Sequence, residues 1–296
     1  VTSDDSARLA EVPSSVLGWY AEAARDLPWR QPGIGAWAVL VSEVMLQQTP
    51  VSRVIPAYDA WMTRWPTPAA LAAEPAGEAV RMWGRLGYPR RALNLHAAAT
   101  AVVDRHVGDV PATLDELLAL PGVGAYTARA VAAFAFGQRH PVVDTNVRRV
   151  IARLIDGQPD APGASATARE RTIVEHLLPA EPRRAAAFSV ALMELGALVC
   201  TARRPRCASC PVSPSCAWLA AGSPAGETRR GQTYAGTDRQ VRGRLLAILR
   251  DNDGPVAESE LARAWDEPVQ RERALAGLLA DGLASARDDG SYALPE

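Results

Sequence analysis

Apolar residues recur at three- and four-residue steps along most of the chain between residues 8 and 220. In "WAVLVSEVMLQQTP", Trp37, Leu40, Val41, Val44 and Met45 mark one side of a helix. The same spacing in "SVLGWYAEAA", "AAATAVVDRHV", "TLDELLAL", "AYTARAVAAFAFG", "NVRRVIARLI" and "AAAFSVALMELGALV" predicts further helices joined by short connections. Strand-like alternation is nearly absent, so the pattern predicts an all-α body. Residues 221–237, rich in Gly, Ser and Thr, read as a linker. Beyond it, "RQVRGRLLAILRD", "AESELARAW" and "QRERALAGLLADG" predict three short helices. "LASARDDGSYAL" predicts a hairpin turning at Asp289-Gly290. Three helices and a hairpin suggest a small winged-helix-like domain over residues 238–296.

Composition changes this picture only modestly. A chain of 296 residues has room for two or three domains. With 32 basic and 33 acidic residues it is not a uniformly basic nucleic-acid binder, although a balanced total hides local patches. Every basic residue is Arg, and the chain contains no Lys. The first twenty residues are acidic and lack a basic region followed by an apolar core, and no apolar run is long enough to cross a bilayer. The expectation is a soluble, cytoplasmic protein with no secretory signal and no membrane partner.

Candidate chemistry begins with Glu43, a carboxylate within an apolar helical stretch. Periodicity leaves two readings open, a solvated charge or a partly buried acid held for proton transfer. The four cysteines fall together as Cys200, Cys207, Cys210 and Cys216, in the pattern C-x6-C-x2-C-x5-C. Such clustering reads as metal ligation rather than disulfide pairing. Zinc and iron–sulfur clusters both use four thiolates, but zinc sites usually show two paired knuckles and this pattern has one. The intervening loop carries Arg203, Arg204 and Arg206, suited to phosphate or to plain solvation. "LPGVG" places Gly122, Val123 and Gly124 at a tight turn into a helix, whose first N–H groups are unpaired and suit a phosphate. Asp144, after the extended "HPVV", is placed to cap the following helix, where the positive helix end favours its ionised form. A carboxylate fixed in that way can stabilise developing positive charge.

These motifs together resemble the endonuclease III superfamily of helix-hairpin-helix DNA glycosylases. Within it, "LPWR" (27–30), "SEVMLQQT" (42–49), "RLGYPRRALNLH" (85–96), "GVGAYTA" (122–128) and "ALMELGALVCT" (191–201) look like the adenine DNA glycosylase family, the MutY type. The resemblance covers roughly residues 8–220. It implies a six-helix domain with the hairpin over 31–138, and an iron–sulfur cluster domain built from 6–30 and 139–220. It also implies a [4Fe-4S] cofactor on the four cysteines. It implies a monomer acting on double-stranded DNA and removing adenine mispaired with 8-oxoguanine or guanine.

By the same resemblance, Glu43 is the general acid that protonates the extruded adenine. Asp144 stabilises the oxocarbenium-like sugar, with Asn146 and Tyr126 as hydrogen-bonding helpers. Trp29, Arg30 and Leu46 line the base pocket. Gln47 and Tyr88 enter or brace the stack around the extruded base. Gly122, Val123, Gly124, Arg203, Arg204 and Arg206 contact DNA. Relatives with lyase activity carry Lys where this chain has Tyr126. With no Lys anywhere, a monofunctional hydrolase follows on chemical grounds.

Two departures from the family pattern stand out. Val190 occupies a position where the family usually has a Gln or Glu that contacts adenine. The β-rich domain that reads 8-oxoguanine is missing from the last sixty or so residues, where Arg239, Arg242 and Arg244 are instead candidate phosphate contacts. A thymine mismatch or oxidised-pyrimidine glycosylase on the same fold, and a DNA-binding protein without catalysis, are the competing readings.

Overall fold

The computed structural model describes residues 9–226 and 234–296. Residues 6–8 of the expected cluster domain and 227–233 of the expected linker lie outside the described residues. The described chain is almost wholly helical, with one two-stranded sheet among the described residues. In chain order the helices are α1 (Val12–Ala23), α2 (Ala36–Leu46), α3 (Val51–Arg64), α4 (Pro68–Ala72), α5 (Ala76–Trp83) and α6 (Arg90–His106). They continue as α7 (Leu114–Leu118), α8 (Ala125–Phe136), α9 (Thr145–Leu154), α10 (Ala168–Leu177), α11 (Pro182–Leu198) and α12 (Ala217–Ala220). The C-terminal segment adds α13 (Asp238–Asp251), α14 (Glu258–Leu261), α15 (Pro268–Ala280) and the strands β1 (Ser285–Ala286) and β2 (Tyr292–Ala293). The quoted helical stretches do not include α3, α4, α5, α10 or α12.

Local chemistry sets the ends of these helices. Asp144 caps α9, and Thr67 caps α4 ahead of a proline at its first position. Thr167 and Glu170 form a reciprocal capping box at α10. Glu181 and Glu267 accept backbone N–H bonds at the starts of α11 and α15.

The chain divides into two compact units. The first comprises the described residues up to Val39, Ala112–Leu118, and those from Gly124 to the linker. Its core packs α1, α9, α10 and α11 through Val16, Val147, Ile151, Phe188, Leu192 and Leu195. A smaller cluster joins Ala130 and Ala133 of α8 to Val142 and Ala186, with Tyr126 packed against it.

The second unit comprises Leu40–Pro111, Ala119–Val123 and the described C-terminal residues. Trp61, Trp65 and Trp83 meet edge to face at its centre, with ring centroids 4.6 and 5.7 Å apart. The expected helices and hairpin of the C-terminal segment are present, β1 and β2 being antiparallel. They pack into this same unit. The Gly77 N–H donates to Pro295 O at 2.7 Å, and a Cβ at Gly77 would lie 2.4 Å from that oxygen. Arg81 donates to the carbonyls of Arg250 and Asn252, and Arg250 Nε returns a bond to Val80 O. Arg242 pairs with Asp281, and Arg244 lies 4.9 Å over the Trp265 ring. Those two guanidiniums therefore already have partners inside the segment.

Candidate active site

α2 is buried on nearly all sides, not amphipathic as its spacing predicts. Trp37, Val39, Leu40, Val41, Val44 and Met45 are all buried, and so is Ser42. Glu43 shares that environment and is only 5 % exposed. The solvated reading of Glu43 is therefore wrong, because every position from 37 to 45 on this helix is withdrawn from water. A carboxyl group so withdrawn from water is a candidate for proton transfer and not a solvated surface charge.

α2 ends at Leu46 and the chain turns at Gln47, both half-buried. Gln48 follows in the left-handed region at φ +54°, and Tyr88 does the same at φ +47°. Tyr88 is 56 % exposed, an unusual position for an aromatic ring on a strained backbone.

The hairpin glycines differ in purpose. Gly122 has φ +72°, and an added Cβ would lie 2.5 Å from Asn94 Cβ on α6. Only glycine fits there. Val123 is buried and anchors the turn, its N–H donating to Leu120 O at 3.1 Å. Gly124 stands in the open at the start of α8, with nothing within 4 Å of where a Cβ would be.

Asp144 is fixed by two bonds. Its Oδ1 accepts from the Val147 N–H at 2.7 Å and its Oδ2 from Asn146 Nδ2 at 2.8 Å. Burial pushes its pKa above the ordinary aspartate value. The hydrogen bonds from Val147 and Asn146, and the nearby Arg149 charge, act the other way. The chain of bonds continues past Asn146. Arg149 Nη2 donates to Asn146 Oδ1 at 2.8 Å and to Gly196 O at 2.6 Å, and its Nε donates to Cys200 O at 2.7 Å. Asp144 is thus linked through two side chains, Asn146 and Arg149, to the backbone of the first cysteine. Tyr126, the residue where a lyase amine would sit, packs in the small cluster with Val142, two positions before Asp144.

Gly196 makes this arrangement possible. A Cβ there would lie 2.7 Å from Asn146 Cβ and 2.8 Å from Asn146 O. Gly196→Ala is expected to push α9 from α11 and cost about 1–3 kcal/mol of stability. It is also expected to slow the reaction by displacing Asn146. Denaturant midpoint and single-turnover rate check this together; wild-type values for both would show that the contact yields without consequence.

Trp29 is buried and Arg30 half-buried on the short turn Pro28–Arg30. Arg30 Nη2 donates to Glu194 at 3.0 Å, while Arg25 donates twice from its guanidinium at 2.7 Å and once from its backbone at 3.1 Å. Burial raises the pKa of Glu194, but the hydrogen bonds from Arg25 and Arg30 outweigh it and hold the carboxyl at about 2. Arg30 Nη1 is buried with no hydrogen-bond partner among the described residues, so one donor of this guanidinium is still to be satisfied.

The four cysteines are free thiols lining one apolar cavity with Val150, Leu195, Val199 and Trp218. Burial pushes the Cys210 thiol up to about 11 and raises that of Cys200, which accepts from Arg153 Nη1 at 3.4 Å. Arg153 also lies 4.8 Å over the Trp218 ring. Among the described residues no three His, Cys, Asp or Glu side chains are gathered closely enough to hold one metal ion. Arg203, Arg204 and Arg206 are exposed and make no ion pair among the described residues. Val190 is half-buried on α11.

Arg149, Gly196, Glu194 and Arg91 were not singled out by the sequence. All four lie within quoted stretches, but each acts on a partner dozens of residues away, which spacing does not reveal.

Comparison with known proteins places these features in a family. A model described as "HhH-GPD superfamily base excision DNA repair protein" matches residues 41–175. The chain is 56 % identical over 284 residues to an adenine DNA glycosylase of Mycolicibacterium smegmatis, covering 95 % of each chain. It is 54 % identical over 285 residues to that of Mycobacterium tuberculosis, covering 95 % of this chain and 93 % of the relative. Among solved structures, a thermostable thymine-DNA glycosylase superposes with a TM-score of 0.66 at 28 % identity, covering 73 % of this chain and 98 % of that one. An endonuclease III trapped on DNA superposes at 0.63 and 24 % identity, covering 76 % and 100 %, a likeness of fold alone.

Proposed function

The chain belongs to the adenine DNA glycosylase family of the helix-hairpin-helix base excision repair proteins, and we propose that it hydrolyses the N-glycosidic bond of adenine mispaired with 8-oxoguanine or guanine. The observation that carries this reading is Glu43, a carboxyl group withdrawn from water on an apolar helix. In the proposed reaction the extruded adenine takes the Glu43 proton on a ring nitrogen, which makes it a better leaving group. The bond from the sugar carbon to the base breaks and the electron pair leaves with the adenine. Asp144, ionised and held by Val147 and Asn146, stabilises the positive charge that develops on the sugar. Water adds to the sugar carbon and its proton returns to the Glu43 carboxylate, leaving free adenine and an abasic strand. No lysine amine exists to attack the sugar, so the strand stays intact.

Extrusion of the base costs a few kcal/mol. The grip on DNA is assigned to the hairpin at Gly122, Val123 and Gly124 and to the exposed Arg203, Arg204 and Arg206. Gln47 and Tyr88 brace the stack, and Trp29, Arg30 and Leu46 line the base pocket. The unsatisfied Arg30 Nη1 supports that placement. Residues 31–138 are assigned to the six-helix domain, 6–30 with 139–220 to the cluster domain, and 238–296 to an accessory DNA-holding domain. The protein is proposed to act as a monomer. No helix among the described residues is long and apolar enough to cross a membrane.

The cysteine cavity suits a [4Fe-4S] cofactor better than zinc. The four thiols line one cavity, and their sequence spacing lacks the second paired knuckle usual for zinc. Cys200, Cys207, Cys210 and Cys216 would hold it. When bound it would serve a structural role, tying down the loop that bears the three arginines. Purified protein is expected to be brown and to carry about four irons per chain. Metal analysis that finds zinc without iron would sink this assignment.

The substrate reading is tested with labelled duplexes carrying A:G, A:8-oxoguanine, T:G or thymine glycol, each followed by alkali. Alkali-labile breaks at adenine alone support it. Breaks at thymine, the base acted on by the thymine-DNA glycosylase it superposes with, would overturn it.

A further inference from the structure

We propose that Arg91 is a positioning residue that locks the turns bearing Gln47 and Tyr88 into one preorganised wedge for base extrusion. The proposal rests on the reading of Gln47 and Tyr88 as the residues that enter the DNA stack.

Arg91 is the second residue of α6 and is 7 % exposed. Its Nη1 donates to the carbonyls of Val44, Met45 and Gln47 at 2.9, 3.0 and 2.6 Å. The first two oxygens belong to the C-terminal end of α2, whose last carbonyls have no partner within the helix, and the third to the turn that follows it. Its Nη2 donates to Thr49 Oγ1 and to Gly87 O, both at 2.9 Å. The guanidinium also lies 5.0 Å over the Trp83 ring and 5.6 Å over the Tyr88 ring. Trp83 Nε1 donates to the same Gly87 carbonyl at 2.9 Å, so the second turn is gripped from two sides.

The acceptors of this cation, among the described residues, are neutral carbonyls and a hydroxyl. Burial lowers its pKa to about 10, which leaves it charged at neutral pH. A buried cation without a carboxylate is a costly choice if stability is the only purpose. What it gains is geometric. A planar fork reaches two turns at once, which no ammonium group does. Each turn holds a non-glycine residue at positive φ, Gln48 and Tyr88, and such backbones persist only where the surroundings over-determine them. Neither turn is tied to the other by the sequence, since 41 positions separate Gln47 from Tyr88.

The test uses full-length protein and a duplex with 2-aminopurine in place of the target adenine, opposite guanine. Fluorescence rises as this base leaves the stack, so extrusion is read directly. Arg91→Lys keeps the charge but removes the fork. It is expected to slow extrusion by about tenfold or more, as a small misplacement of a binding group does. Tyr88→Ala is expected to slow it too. Thr49→Val, which removes one bond to Arg91, should slow it in the same direction if Arg91→Lys does not fold. Affinity for undamaged duplex, by anisotropy, should stay within about threefold, because Arg91 is buried away from phosphate.

If Tyr88→Ala slows extrusion while Arg91→Lys and Thr49→Val do not, the positioning role is wrong and the wedge reading stands. If Tyr88→Ala has no effect, or wild type gives no fluorescence rise, the wedge reading fails and the proposal fails with it. Loss of undamaged-duplex binding in proportion to the loss of extrusion would show general disruption and also overturn it.

Discussion

Glu43→Gln is expected to bind mispaired DNA as tightly as wild type and to excise adenine more slowly by on the order of 10²–10⁴-fold. Glutamine matches the size of glutamate and keeps a side-chain carbonyl, so the packing of α2 is retained. What it lacks is the acidic proton. Without protonation the adenine must leave as an anion, and the barrier rises accordingly. The buried setting makes the comparison clean, because Glu43 has almost no surface from which to contact phosphate. Single-turnover rates and anisotropy on the same A:G duplex separate the two effects. A loss of binding with a normal rate would make Glu43 a DNA contact and not an acid.

Asp144→Asn is expected to lower the excision rate by on the order of 10²-fold or more, again with binding preserved. The group to be stabilised is cationic, so only the ionised form of Asp144 serves. Burial places its folded pKa above the ordinary aspartate value. The sign follows directly. As pH falls through that raised pKa the carboxylate takes a proton, and the wild-type rate falls with it. The acid limb of the rate profile is therefore expected above the usual aspartate range and should disappear in Asp144→Asn. Arg149→Leu gives a useful contrast, since it cuts the support for Asn146 while leaving Asp144 in place. Excision by Asp144→Asn at wild-type rate would remove the carboxylate from the mechanism.

The helical body was readable because its apolar spacing is regular, and α6, α8, α9 and α11 stand where the pattern puts them. The cap at Asp144 was also readable, since an extended run followed by Asp and a helical period has a local cause. The state of Glu43 was not. Periodicity reports one buried face, whereas α2 is buried on nearly every side, and only the tertiary structure distinguishes the two. Arg91 carries no local signal of its role, because four of its acceptors lie more than forty residues upstream. Gly196 likewise reads as a weak point in a helix. Its meaning depends on Asn146, fifty residues earlier, pressed against it. The partners of Arg242 and Arg244 within the segment, Asp281 and Trp265, were likewise not visible in the sequence.

The central claim is that this chain releases adenine by hydrolysis and does not cut the strand. The most direct measurement is chromatography of the small molecules released from an A:G duplex, with the strands run before and after alkali. The account predicts free adenine in step with alkali-labile sites, an unbroken strand before alkali, and neither product from Glu43→Gln. Release of thymine, or strand breakage without alkali that survives blocking of the N-terminal amine, would contradict it.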